Sequence, residues 1–189
     1  MPVPAGHHRL GPGRGRIVLH TFRDGVAARA GHDLTIEVAR WSGELTTGGE
    51  PEPSGLEVRI DMTSLTVIEG HGGISPLSER DRREIAATAR KVLAADRYPE
   101  ARFQADTFEA GAGGGVIAGT LTLHGVARPL RLQVREDGDG KYHASGSVTQ
   151  SEFGIKPYTG FLGALRVRDA VDMDIDIDLA EPGGAGGDR

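Results

Sequence analysis

Residues 171–179 read Val-Asp-Met-Asp-Ile-Asp-Ile-Asp-Leu, a strict alternation of apolar and acidic side chains. Successive side chains on a strand point to opposite faces. Val171, Met173, Ile175, Ile177 and Leu179 therefore form one apolar face, and Asp172, Asp174, Asp176 and Asp178 a wet one. A helix, with its period of 3.6, cannot separate these residues so cleanly. The same two-sided pattern recurs earlier. Over 15–22, Ile17, Leu19 and Thr21 oppose Val18, His20 and Phe22; over 33–41, Leu34, Ile36 and Val38 oppose Thr35, Glu37 and Ala39. Over 56–62, Leu56, Val58, Ile60 and Met62 oppose Glu57, Arg59 and Asp61, and shorter strands are predicted at 43–47 and 65–68.

One segment has a different period. Ile85, Ala89, Val92 and Leu93 make an apolar stripe, with Arg82, Arg83, Arg90 and Lys91 on the charged side. Ser78 can cap the first amides with Asp81 three residues on, and Pro99 stops the helix before Tyr98. The spacing predicts a helix over about 78–95. Strands then return at 101–109, 116–124, 127–136, 141–150 and 164–179, the last one bent, punctuated by Gly113-Gly114-Gly115 and Asp137-Gly138-Asp139-Gly140. The pattern predicts a mainly β protein: about eight antiparallel strands curled into a barrel or sandwich, with one longer helix as a cap. Residues 1–13 read as a flexible arm, 14–180 as a single domain and 181–189 as a disordered tail.

Composition narrows the function. A chain of 189 residues with 38 % apolar side chains suits one domain with a core, but aromatics make up only 5 %. A net charge of −5 argues against a nucleic-acid partner. Cysteine is absent, which excludes disulfides, thiol catalysis and cysteine-ligated metals. Residues 1–16 lack the apolar stretch of a signal peptide, and no run approaches the roughly 18–20 residues of a membrane span. A soluble cytoplasmic protein is the expectation.

The candidate chemistry is sparse. Four aspartates in a row invite a calcium reading, but side chains two apart on a strand do not wrap an ion. A solvated sheet face is favoured, offset by Arg131 and Arg135 on a neighbouring strand. His20 and His32 flank the first turn without further ligands at a metal spacing, so no metal site is assigned. No Gly-x-Ser-x-Gly elbow or phosphate loop occurs, and no catalytic residue is assigned. His124 sits at a tight turn, where satisfying turn groups is the simpler role. The 153–163 loop is rich in Gly and Pro yet carries Phe153, Tyr158, Phe161 and Leu162. It reads equally as a lid over a barrel mouth or as a plug at one end, and either would bury Phe161 and Leu162.

Several stretches together resemble a known family. They are Asp81 with its helix, Arg97-Tyr98-Pro99-Glu100-Ala101-Arg102-Phe103, the run Gly119-Thr120-Leu121-Thr122-Leu123-His124-Gly125-Val126, and Ser151-Glu152-Phe153-Gly154-Ile155. In this order and spacing they resemble the YceI-like, polyisoprenoid-binding family over roughly 14–179. The resemblance implies a lipocalin-like barrel whose elongated apolar interior takes a long isoprenoid chain, for carriage or storage rather than a reaction. His32 matches a histidine the family often carries at the start of its second strand. The segment 69–84 departs from the commonest family wording: Arg80-Asp81 precedes a longer helix that lacks Phe.

The leading expectation is a lipid-binding protein holding a polyisoprenoid, an isoprenoid quinone or another long-chain amphiphile, with no other cofactor. The ligand-binding candidates are Val58, Ile60, Leu121, Leu123, Met173, Ile175 and Ile177 on the apolar faces. His32, Asp81 and Phe153 are placed near an opening, and Phe161 in the adjoining loop. Transient membrane contact for loading and a homodimer are compatible with this. Two other readings stand beside it. One is an enzyme on an isoprenoid quinone or lipid, for which His32 with Asp81 is the acid/base pair to test. The other is a filled barrel acting as an interaction module.

Overall fold

The computed structural model describes residues 5–48 and 53–180. The tail expected at 181–189 and the first four residues of the expected arm lie outside them. The chain opens with strands β1 (Gly6–Leu10), β2 (Gly15–Thr21) and β3 (Arg23–Asp24), then β4 (Asp33–Val38) and β5 (Trp41–Thr47). Strands β6 (Pro53–Asp61) and β7 (Leu65–His71) lead to helix α1 (Glu79–Val92). After it come β8 (Glu100–Gly111), β9 (Gly114–Leu123), β10 (Val126–Gly138) and β11 (Lys141–Thr149), and finally β12 (Thr159–Gly160), β13 (Leu165–Val167) and β14 (Ala170–Asp178).

Eleven strands form one antiparallel sheet in the order β1-β5-β6-β8-β9-β10-β11-β14-β2-β4-β7. The sheet closes through chain continuity at a bend. Residues 6–21 run antiparallel to 33–47: β1 pairs with β5, and β2 pairs with β4. The second strand of this bent pair turns a corner at Ala39 and Arg40, sending β4 to β7 and β5 to β6. β2 meets β14 while β5 meets β6, so a ring of eight strands is completed. The wall is tall: β10 alone runs 13 residues, about 40 Å at some 3.3 Å per residue.

The corner is held by polar groups. Ser64 Oγ accepts from Arg40 N (3.0 Å) and donates to Asp61 O (2.7 Å). Ala39 N donates to Ser64 O and Asp61 N to Arg40 O, each at 3.1 Å. The Asp61 carboxylate accepts from Thr63 Oγ1 (2.6 Å), Thr63 N (2.8 Å) and Arg40 Nε (2.8 Å). The Thr63 hydroxyl first, with the Thr63 amide and Arg40 adding to it, holds this carboxyl below its ordinary value of 3.8.

Helix α1 begins as its sequence dictates. Ser78 is the N-cap: its Oγ accepts from Asp81 N (3.1 Å), while Asp81 Oδ2 accepts from Ser78 N (2.8 Å), a reciprocal capping box. The helix ends at Val92 rather than 95, because Ala94 turns left-handed (φ 46°) and Ala95 N reaches back to Arg90 O (2.9 Å). Its apolar stripe, Ile85, Ala89, Val92 and Leu93, lines the barrel interior, and the helix packs beside β7.

Three further departures have local causes. Residues 6–10, expected within a flexible arm, form β1, with Leu10 buried beside Trp41 and Leu45. The strand expected over 164–179 is two, because β13 leaves the barrel to pair with β3 and β12 in a small second sheet. In β8, Ala105 pairs with Gly119 but Thr107 with Ala118, so Asp106 is an extra residue. The bulge inverts the alternation: Ala101 and Phe103 face inward before it, Phe108 and Ala110 after it.

Asp61→Asn should loosen the corner and lower stability at neutral pH by about 1 kcal/mol, as expected for a partly exposed charge-assisted network. A carboxyl held below its ordinary value stabilises the fold above that value and ceases to as pH falls through the folded-state one. Urea unfolding at pH 7 and at pH 3 should therefore show the gap between wild type and variant shrinking in acid, below 3.8. A gap that is constant across this range would remove Asp61 from the closure.

Candidate functional site

The inward faces of the barrel leave a cavity of about 1030 Å³. It runs from the loops around Arg23, His32, Ser75 and Arg166 to the β8–β9 hairpin tip at Gly111, Gly113 and Gly114. Its wall is mostly aliphatic, with Trp41, Phe103, Phe108, Tyr142 and Tyr158 as aromatic additions. The cavity exists because several inward positions are small: Ala89, Ala101, Ala110 and Ala144 line it where larger side chains would fill it. This volume is at the upper end of ordinary ligand pockets, roughly 300–1,000 Å³.

The two ends differ in charge. The hairpin end presents Glu109, Glu136 and Tyr142, whose phenol burial pushes up. The loop end presents Arg23, His32, Arg166, Asp81 and Glu84. Arg23 Nη1 donates to Gly31 O (2.7 Å), and Arg23 N to Asp33 Oδ1 (2.8 Å). His32 Nε2–H donates to Ser75 O (2.8 Å), pinning the 72–76 loop across this end. Gly72 and Gly73 are both left-handed (φ 80° and 75°), and a Cβ there would meet the Arg23 guanidinium and the His32 ring at 2.1 and 2.2 Å. The loop therefore lies directly on the Arg23 guanidinium and the His32 ring.

Of the sequence candidates, Val58, Ile60, Leu121, Leu123, Met173, Ile175 and Ile177 line the cavity wall. Cross-strand register brings Ile177 opposite Tyr142, Ile175 opposite Ala144 and Met173 opposite Gly146. His32 and Asp81 line the loop end. They are not paired with one another: His32 is bonded to the Ser75 carbonyl and Asp81 to Ser78. The Ser78 hydroxyl and then its amide hold the Asp81 carboxyl below the usual range.

Two candidates are placed differently from expectation. Phe153 does not stand at an opening. It is 2 % exposed and packed in the core with Phe103, Leu121, Leu130 and Ile155, its carbonyl accepting from His124 Nδ1 (3.1 Å). Phe161 and Leu162, expected to be buried by either a lid or a plug, point outward, Phe161 being 66 % exposed and Leu162 fully so. Both residues are left-handed (φ 49° and 55°), which turns the loop away from the barrel. The aspartates of β14 also have different neighbours from those expected. His20 Nε2 lies 2.9 Å from Asp174, and His143 reaches Asp174 at 3.2 Å and Asp176 at 2.8 Å. Arg131 and Arg135 pair instead with Glu109 and Asp137, because β11 separates β10 from β14.

Sequence reasoning missed the polar members of the loop end. Arg23 and Arg166 sit in turn-like segments without motif, and only the β3–β13 pairing brings them together. A signal was present in Gly72-Gly73, a pair that needs close approach and left-handed backbone.

Residues 20–179 match the model of the YceI-like domain. The chain belongs to that family. A UPF0312 protein of Pseudomonas putida (strain W619) is 25 % identical over 142 residues, covering 70 % of this chain and 66 % of the relative. The chain thus spans just under two thirds of that relative's length. A UPF0312 protein of Pseudomonas syringae pv. tomato is 26 % identical over 149 residues, 72 % of each chain. Among solved structures, a polyisoprenoid binding domain from Saccharophagus degradans aligns with a TM-score of 0.57 at 14 % identity, over 92 % of this chain and 97 % of that one. BcnA of Burkholderia cenocepacia aligns at 0.57 and 15 % identity, over 86 % and 94 %. At such identities the structures establish a shared fold: the mainly β, lipocalin-like YceI architecture, with a single long helix.

Ala144→Trp would place an indole across the middle of the cavity, opposite Ile175. The variant should keep its β circular dichroism at a cost of about 1–3 kcal/mol from overpacking. It should lose at least about tenfold in retention of a long-chain lipid, a change of some 1.4 kcal/mol. Undiminished retention in a folded variant would move the binding site out of the barrel.

Proposed function

We propose that this YceI-like protein binds one long-chain isoprenoid lipid, tail inside the barrel and polar head at the loop end, and serves to carry or store it. The observation that carries this reading is the elongated aliphatic cavity of about 1030 Å³ running between the two ends of the barrel. An extended flexible hydrocarbon fits such a space, and each Å² of apolar surface it buries contributes about 25 cal/mol. The polyisoprenoid-binding description of the Saccharophagus degradans neighbour supports the same ligand class. The ends favour this direction: the loop end offers Arg23, His32 and Arg166 beside Asp81 and Glu84, a mixed polar setting for a head, whereas the hairpin end offers the carboxylates Glu109 and Glu136.

The other two readings find less support. An enzyme would need a free acid/base pair facing the ligand. His32 and Asp81, the pair nominated for that role, are spent on a loop carbonyl and a helix cap. An interaction module with a filled barrel would not leave this volume open.

Native mass spectrometry of gently purified protein, followed by solvent extraction and lipid identification, tests the proposal. A stoichiometric isoprenoid is the expected result. A bare protein that also refuses added polyprenyl lipids would overturn it.

A further inference from the structure

Among the described residues, the large apolar side chains that stand exposed are Val26 (96 %), Ile74 (86 %), Tyr158, Phe161 and Leu162. They come from three separate segments of the chain, yet the fold gathers them at one place. Ala27 N donates to Ala164 O (2.9 Å), and β3 pairs with β13, so the loop bearing Val26 is bonded to the segment bearing Phe161 and Leu162. The loop bearing Ile74 lies on Arg23 and His32, held by the His32–Ser75 hydrogen bond. Arg23, His32, Ser75, Tyr158, Leu165 and Arg166 from these same segments line the loop end of the cavity. The exposed apolar residues therefore rim the mouth of an apolar chamber.

Two observations point to what covers this rim. The first is conformational. Phe161 and Leu162 are consecutive left-handed residues (φ 49° and 55°), a backbone state unfavourable for L-amino acids, and the loop holds both side chains outward in it. The turn is held in this form by the β12–β13 pairing and by Ala164 N donating to Phe161 O (3.1 Å), so both side chains are presented to solvent by the fold itself. The second is charge. Segments 22–33, 72–77 and 156–169 carry Arg23, Arg29, Lys156, Arg166 and Arg168 against Asp24, Asp33 and Asp169, with Asp33 taken up by Arg23 (3.8 Å), although the whole chain has a net charge of −5. Arg29, Lys156, Arg166 and Arg168 are exposed. Apolar tips set among cations on an otherwise acidic protein are complementary to an anionic bilayer surface, where tips enter the acyl boundary and cations meet the headgroups.

We infer that the loop end is a membrane-docking face: Val26, Ile74, Phe161 and Leu162 insert into an anionic bilayer, with Arg29, Lys156, Arg166 and Arg168 on its headgroups. This rests on the lipid-binding reading for its purpose, since docking mouth-down lets an apolar tail pass between bilayer and barrel without crossing water. Its geometry does not depend on which lipid is carried.

Flotation of the full chain with vesicles tests it. The vesicles are phosphatidylcholine alone, or with about 30 % phosphatidylglycerol to supply surface charge. The expected result is flotation with the anionic vesicles, reduced in high salt. The double variant Phe161→Ser/Leu162→Ser should float at least about tenfold less, because it removes the largest tips. Both residues are exposed, so the variant should keep the wild-type melting temperature and, by native mass spectrometry, its lipid. Three results would overturn the inference: no flotation of the wild type, equal flotation of the folded variant, or equal partition onto phosphatidylcholine alone. Self-association of the wild type that is lost in the variant, without flotation, would assign the rim to a second copy of the chain instead. A protein that carries lipid but never floats leaves the carrier reading intact, whereas one that floats but carries nothing removes that reading and keeps the docking face.

Discussion

Everything inside this protein depends on one bend. Residues 33–47 are a single run of extended chain that changes direction at Ala39 and Arg40, so its two halves pair in different parts of the sheet. Without that corner the sheet would be a twisted ribbon with one face open to water, and its aliphatic side chains would have to be covered by something else. With it, the ring closes and one face of every barrel strand turns inward. The corner is secured by backbone and hydroxyl groups of Ser64 and by the Asp61 carboxylate, none of which touches the chamber that their geometry makes possible.

Closure alone does not make a binding site. A barrel of eight strands can be filled by its own side chains or left hollow, depending on what points inward. Here alanine occupies inward positions on α1, β8 and β11, and the few large aromatics are spread along the wall. The space left is long and aliphatic, with a loop end of mixed charge and an acidic hairpin end. A ligand that exploits all of this is amphiphilic and elongated, which is also what the isoprenoid class offers. The helix contributes twice: its capping box fixes where it starts, and its apolar stripe lines the chamber beside β7.

Much of this was readable from the residues. The strict alternation at 171–179 assigned Met173, Ile175 and Ile177 to one face, and that face is the inner one. Ser78 and Asp81 announced the helix start. Other features were hidden for identifiable reasons. The bulge at Asp106 inverts the inward parity of β8, and no local pattern announces an extra residue whose cause is the pairing with β9. β1 has polar residues at most positions, and becomes a strand only because β5 offers it an edge. Phe161 and Leu162 have the composition of core residues, so sequence alone places them inside; their left-handed backbone turns them out. The resemblance to the YceI-like family supplied the hollow interior, which periodicity cannot distinguish from a filled one.

On the proposed reading, a long hydrocarbon enters this chamber and lies along the inward faces. Methyl NMR of delipidated protein labelled at Ile, Leu, Val and Met, titrated with a polyprenyl lipid, addresses it at each wall position. Saturable shifts, ending at one lipid per protein, are expected at inward methyls such as those of Ile60, Leu121, Met173, Ile175 and Ile177. The methyls of Val18, which is buried but does not line the chamber, should stay fixed. Shifts confined to the exposed loop residues, or none at all, would contradict it.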